Sequence, residues 1–130
     1  MGLGLYNIVE QLILEVASRS QIEQAIEKKQ RVRIFYRGDE ESVAGYRNIE
    51  PYVLGLSSAD NLIVRAWQIN GVTDTDSPGW KTFRVDKINE WRPYPSFFYQ
   101  PISDRDSSAP DYNRTGDRSM KTIYKQARFE

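Results

Sequence analysis

The chain has 130 residues, enough for one domain with one modest core, since hydrophobic residues make up 39% of it. It has no cysteine and no histidine, which excludes disulfides, thiolate chemistry, histidine-ligated zinc and histidine general bases. Lys+Arg and Asp+Glu both number 18, so the zero net charge argues for neither a nucleic-acid nor an acidic partner, and only local clusters can carry a field.

The chain opens with a wide apolar stripe. Ile8, Leu12 and Val16, with Val9, Ile13 and Ala17, recur at helical spacing behind an Asn7…Glu10 capping box. A helix over residues 1–19 is expected, and its apolar face suits a homodimer contact. No run approaches the ~18 apolar residues of a membrane span, and no signal peptide is apparent, so a cytoplasmic protein without a membrane partner is expected. Ser20 and Glu23 form a second capping box, and Ile22, Ala25 and Ile26 share one face of a second helix running through Lys29.

Strands follow. Val32, Ile34 and Tyr36 alternate with Arg31, Arg33, Phe35 and Arg37, which predicts a strand with one wet face. Gly38-Asp39-Glu40-Glu41 is an acidic turn. Residues 43–56 read as a second strand that must bend, because Pro51 lacks an amide donor and demands an edge or a bulge. Residues 62–69 form the most apolar strand, and residues 80–85 a fourth. Asp86-Lys87-Ile88-Asn89 allows a single helical turn. Glu90-Trp91-Arg92 is a short last strand, closed by Pro93 and Pro95.

The resulting architecture is mainly β: a small, strongly bent SH3/Sm-like barrel of about five strands, preceded by one or two helices, over residues 20–95. Residues 96–130 are a loop-rich extension. Phe97, Phe98, Tyr99 and Ile102 cluster, residues 103–116 read as a mobile surface loop, and Met120, Ile123, Tyr124 and Ala127 predict a short helix over residues 118–127.

No catalytic or metal constellation stands out. Asp74 and Asp76 lie in a polar loop, as do Asp104, Asp106 and Asp111, and no Gly-rich phosphate loop follows a strand. No enzyme, metal or cofactor is expected; a metal-dependent hydrolase using the acidic loop is a remote alternative. Binding is easier to argue. Arg47, Arg65, Lys81 and Arg84 sit on separate strands among apolar or aromatic residues, and guanidinium forks suit phosphates and carboxylates. Arg65 interrupts the most apolar strand, so it must either pair, with Glu50 or Asp86, or line a wet groove. Arg84 poses the same choice. Tyr52, Trp67 and Trp80 are either core bulk or stacking platforms for a base.

The ordered series Ile22-x-x-Ala25-Ile26, Val32-x-Ile34-x-Tyr36, Arg47-x-Ile49-x-Pro51-Tyr52-x-Leu54, Val64-Arg65-Ala66-Trp67 and Lys81-x-Phe83-Arg84-Val85-Asp86-Lys87-Ile88 resembles the WYL domain family over about residues 21–91. The resemblance implies an Sm-like barrel with a basic pocket for a nucleotide-like ligand or single-stranded nucleic acid, in a regulatory setting. It implies Arg47, Tyr52, Arg65, Lys81, Arg84 and Asp86 as the pocket or its support; with Trp67 added as a stacking platform and Glu50 as a partner for arginine, the expected ligand-binding residues are Arg47, Tyr52, Arg65, Trp67, Lys81 and Arg84, supported by Asp86 and Glu50. Asp86 is expected to orient an arginine. The naming Trp-Tyr-Leu triplet is replaced by Leu62-Ile63-Val64, and Lys81 stands where arginine is usual. No helix-turn-helix is expected ahead of the barrel, so a stand-alone sensor, a subunit or a phage-encoded protein is the expected setting. The competing reading is a structural or assembly protein that dimerises through the first helix or engages a protein partner through its C-terminal segment.

Overall fold

The computed structural model describes residues 17–38, 43–72, 79–110 and 112–129. The first expected helix with its dimer face, and the acidic turns around Asp39 and Asp74, lie outside them.

Helix α1 (Arg19–Lys28) starts two residues earlier than the Ser20 box predicts. Ser18 is the N-cap: its hydroxyl accepts from the Gln21 amide, and the Gln21 side chain accepts from the Ser18 amide, both at 3.2 Å. Two amides that the helix leaves unbonded are thereby satisfied. Ile22, Ala25 and Ile26 are buried as their spacing requires, and Lys29 closes the helix in the left-handed region at φ 53°.

Among the described residues, six antiparallel strands form one sheet: β1 (Gln30–Tyr36), β2 (Gly45–Ser57), β3 (Leu62–Gly71), β4 (Gly79–Arg84), β5 (Ile88–Phe97) and β6 (Met120–Gln126). The path runs β4-β3-β2-β1-β5, with β6 on β2 as well. A mainly β unit led by a helix is therefore what forms, and β4 and β5 are the ends of its pairing path. A single 3-10 turn (Val85–Lys87) joins those two strands, close to where the sequence places one. β5 runs on through Pro93 and Pro95, which the sequence reading takes as stops. The reason is position: β5 ends the path, and an end strand tolerates residues that cannot donate on one side.

β2 is the organising strand. One edge pairs with β3 along most of its length. Its other edge is shared, by β1 from Gly45 to Ile49 and by β6 from Val53 to Ser57. Register shifts at Asn48/Ile49 and Pro51/Val53 confirm the bend expected at Pro51. The segment expected as a helix over residues 118–127 is thus a strand. A shift between Leu54/Gly55 lets Ile123 and Lys125 face consecutive β2 residues. That break in strict alternation puts Met120, Ile123, Tyr124 and Ala127 at a spacing that imitates a helical stripe.

Each face of the sheet is covered. On one, Ile22 and Ile26 of α1 pack with Val32, Ile34, Ile49, Val64, Phe83 and Ile88. On the other, Tyr52, Val53, Ile63 and Trp67 pack with Phe98, Ala109, Tyr112 and Met120. The alternation Ile63/Val64/Ala66/Trp67 along β3 sends successive side chains to opposite cores. The region expected as a surface loop over residues 103–116 contains a short helix, α2 (Ile102–Arg105), and supplies two buried anchors, Ala109 and Tyr112. Polar composition hid them: apolar anchors this sparse have no periodicity. Of the expected aromatic cluster, Phe98 is buried and Ile102 packs beside it, while Phe97 and Tyr99 are exposed. Among the described residues no helix is long and apolar enough to cross a membrane.

Candidate ligand-binding groove

Pairing across β3 and β4 decides which predicted residues meet. Ile63 faces Arg84, Arg65 faces Thr82, and Trp67 faces Trp80. Directly opposed residues share a sheet face. Arg65, Trp67, Trp80 and Arg84 therefore lie on the face of the second core. Lys81 and Phe83 take the other face, opposite Ala66 and Val64.

The structure separates Arg47 from Arg65. Arg47 is 2% exposed, with its guanidinium 5.2 Å from the Tyr36 ring centroid and 5.5 Å from that of Phe83. It donates to the Gln68 side chain at 3.4 Å and to the Val43 carbonyl. It belongs to the interior on the α1 side. Tyr52, expected in a pocket wall, is fully buried: its ring stacks on Phe98 at 5.0 Å and meets Trp80 edge-on at 4.8 Å. Glu50, expected beside Arg65, instead accepts from Arg31 at 3.0 Å, from Arg105 at 2.6 Å and from the Tyr52 hydroxyl at 2.8 Å. Burial and the Glu50 charge raise the Tyr52 phenol well above its usual range. Arg84 donates to both carboxylate oxygens of Asp86, at 3.1 and 2.7 Å.

Around Arg65 the arrangement opens. A groove of 570 Å³ is walled by Arg65, Trp80, Pro110, Tyr112, Asp117 and Arg118. A second hollow of 540 Å³ shares Arg65, Trp80 and Pro110 and reaches Trp67. The Trp80 and Tyr112 rings are stacked, with centroids 6.1 Å apart and an interplanar angle of 20°. Trp80 donates its indole N–H to the Pro110 carbonyl at 3.2 Å, which ties β4 to the extension. The Arg65 side chain is 35% exposed. It donates to Thr82 Oγ1 at 3.0 Å, lies 5.8 Å from the Trp80 centroid and sits 3.9 Å from Asp117 Oδ2. That last separation is long for an ion pair, and the other oxygen of Asp117 is engaged by the Ser119 amide and hydroxyl. Arg118 is exposed and has no carboxylate partner among the described residues.

Chemically, such walls suit a planar ring carrying an anion. The half-buried Trp80 ring, backed by the buried Tyr112, supplies stacking surface, and a guanidinium held by a hydroxyl and an aromatic face presents its remaining donors to solvent. Four of the wall residues, Pro110, Tyr112, Asp117 and Arg118, come from the extension, which the sequence pattern predicts as loop and helix. An aromatic residue directly after Pro110-Asp111 in an otherwise polar stretch was the one available signal.

Burial also pushes the Tyr112 phenol up, to about 12 from its usual 10.0. Its hydroxyl donates to the Ala127 carbonyl at 3.0 Å. Folding thus favours the neutral phenol, so the unfolded chain loses its proton first as pH rises. Stability is expected to fall between about pH 10 and 12, and Tyr112→Phe should flatten that slope in urea titrations read by tryptophan fluorescence. Tyr52 is raised as well, so the slope shrinks rather than vanishes.

Fold and groove together define a class, a helix-led antiparallel β module that sets guanidinium groups beside stacked aromatic rings. The WYL domain family matches residues 18–93, more than half of the chain, and the protein belongs to that family. WYL domains are regulatory or ligand-sensing domains in nucleic-acid-related proteins and are generally non-catalytic. Comparison with curated proteins and with solved structures finds no match. The groove straddles the boundary of the match, since the four extension residues lie beyond residue 93.

Proposed function

We propose that this protein is a non-enzymatic regulatory module that binds a nucleotide-like ligand or single-stranded nucleic acid in the groove between Arg65, Trp80 and Tyr112. The observation that carries this reading is the partly exposed Arg65 guanidinium beside the stacked Trp80 and Tyr112 rings. A base inserted along these rings would bring its phosphate toward Arg65 and Arg118, displacing the weak contact to Asp117. Trp67 backs the Trp80 ring edge-on at 5.5 Å and fixes its plane. Arg84, paired with Asp86, stands diagonally from Arg65 across β3 and β4 and adds field rather than contact. In this reading Arg47, Tyr52 and Glu50 support the sheet rather than touch ligand.

Fluorescence anisotropy with labelled single-stranded DNA and RNA, and with a labelled mononucleotide, tests it at two salt concentrations. Two phosphate contacts predict a log–log salt slope of about −1.4 for a single strand. Arg65→Ala should weaken binding about tenfold without shifting the urea midpoint, because its side chain is partly exposed and its ion pair is long. Absence of binding by the unaltered protein at low salt would sink the reading.

A further inference from the structure

A second charged surface lies away from the Arg65 groove, along β6. β6 pairs with β2 on one edge, and its other edge pairs with no strand among the described residues. Beside it runs a groove of 780 Å³, lined by every residue from 123 to 129 together with Glu27, Lys29, Arg114 and Thr115. β6 supplies residues 123–126 of this lining and the chain leaving the strand supplies residues 127–129, so the groove follows a continuous run of backbone.

The groove is cationic. Lys29, Arg114, Lys125 and Arg128 face one carboxylate, Glu27. Glu27 bridges to Lys125, and Arg114 reaches Asp104 at 2.9 Å. Lys29 and Arg128 have no carboxylate partner among the described residues. Lys29 is held at the left-handed end of α1, with its ammonium 5.5 Å from the Phe129 centroid, and the Arg114 guanidinium is 5.9 Å from the same ring. Two cations thus flank one ring, Arg114 already paired with Asp104 and Lys29 held by the ring alone among the described residues.

The aromatic rings here are already covered. Arg19 lies 3.7 Å over Tyr124, and Lys29 and Arg114 flank Phe129. A nucleic-acid base finds no uncovered ring to stack on. An extended peptide needs none: it bonds through backbone N–H and C=O groups and places alternate side chains against the surface. Ile123, 38% exposed, offers an apolar contact for one set of those side chains, and the cations serve the other.

We propose that the open edge of β6 and its basic groove dock an extended, acidic segment of a protein partner by strand addition. The proposal does not depend on ligand binding at Arg65. The test uses the full chain and a fluorescein-labelled decapeptide of alternating valine and glutamate, followed by anisotropy at low salt. Saturable binding is expected. Lys29→Asn combined with Arg128→Glu should weaken it about tenfold, since two charge contacts are lost. Asparagine tolerates the left-handed backbone of position 29. Arg65→Ala should leave it within about twofold, because that residue lines the other groove. N-methylation of alternate peptide amides should abolish it, because strand addition needs those donors. Absence of saturable binding, or binding that survives N-methylation, overturns the proposal. So does a double variant that loses affinity for an oligonucleotide but not for the peptide. Should the double variant fail to fold, Arg128→Glu alone, at an exposed position beyond the strand, must still weaken the peptide about threefold, and an unchanged affinity overturns the proposal equally.

Discussion

Replacing Glu50 with alanine is expected to destabilise the protein by about 3–5 kcal/mol, among the largest effects a single side chain can have. The Glu50 side chain is 1% exposed and holds three donors from three places. Arg31 reaches it from β1, Arg105 from α2, and the Tyr52 hydroxyl from two residues along its own strand. Tyr52 also accepts from the Ile102 amide at 3.0 Å, so the carboxylate indirectly seats the start of α2. Removing it leaves two guanidinium groups facing each other over a partly desolvated gap. The cost arises from those stranded charges, not from the intrinsic strength of the ion pairs. Urea denaturation checks this. Glu50→Gln is expected to lose nearly as much as Glu50→Ala, because a neutral amide cannot offset two cations. Arg105→Met should lose far less, since that side chain is 30% exposed and its removal leaves Arg31 to balance Glu50. If Glu50→Gln matches the unaltered protein, the charge is not what matters.

Gly55→Val is expected to cost about 3 kcal/mol by overpacking and to release β6 selectively. A Cβ at position 55 would lie 2.2 Å from the Thr122 carbonyl oxygen and 2.6 Å from Met120 Sδ. The methionine can swing aside. The carbonyl cannot, because it belongs to the strand that β2 holds. The requirement here is close backbone approach, not an unusual φ. Hydrogen exchange separates the outcomes: amides of residues 120–126 should lose protection while those of α1 and β1 keep theirs. Uniform loss across the sheet would mean that β6 is integral to one cooperative unit. Unchanged protection would mean that the β2–β6 pairing does not exist.

Local pattern made much of this fold legible. Ile22, Ala25 and Ile26 announced the buried face of α1, and the Val32/Ile34/Tyr36 alternation announced β1. Pro51 announced a bend because an imide cannot donate. Lys81 through Ile88 carried both the strand-to-turn transition and the family resemblance. What was not legible depends on register. Arg47 shares a face with its β1 partner Ile34, among Tyr36 and Phe83, and the shift at Asn48/Ile49 puts Arg65 on the opposite face, open to solvent. One-residue slips of this kind reverse every downstream side chain. Guanidinium groups that look equivalent in sequence therefore end on opposite sides. Lys81 and Arg84 part for a simpler reason: odd spacing along a strand.

The same effect hid the extension. β6 reads as a helix because its bulge mimics a helical repeat, and Ala109 and Tyr112 are too sparse to register as core. Most of the candidate groove is consequently invisible in the sequence, although Arg65, Trp67 and Trp80 are legible candidates.

Gln126 pairs with Val53, so more than half of the chain separates two neighbours on one ladder. On a ribosome, Tyr52, Ile63 and Trp67 emerge long before Met120 and Tyr112 can shield them. The nascent chain therefore carries a naked greasy plate until residues 109–120 emerge, and their arrival is the step that converts a sticky half-structure into a dispersible one.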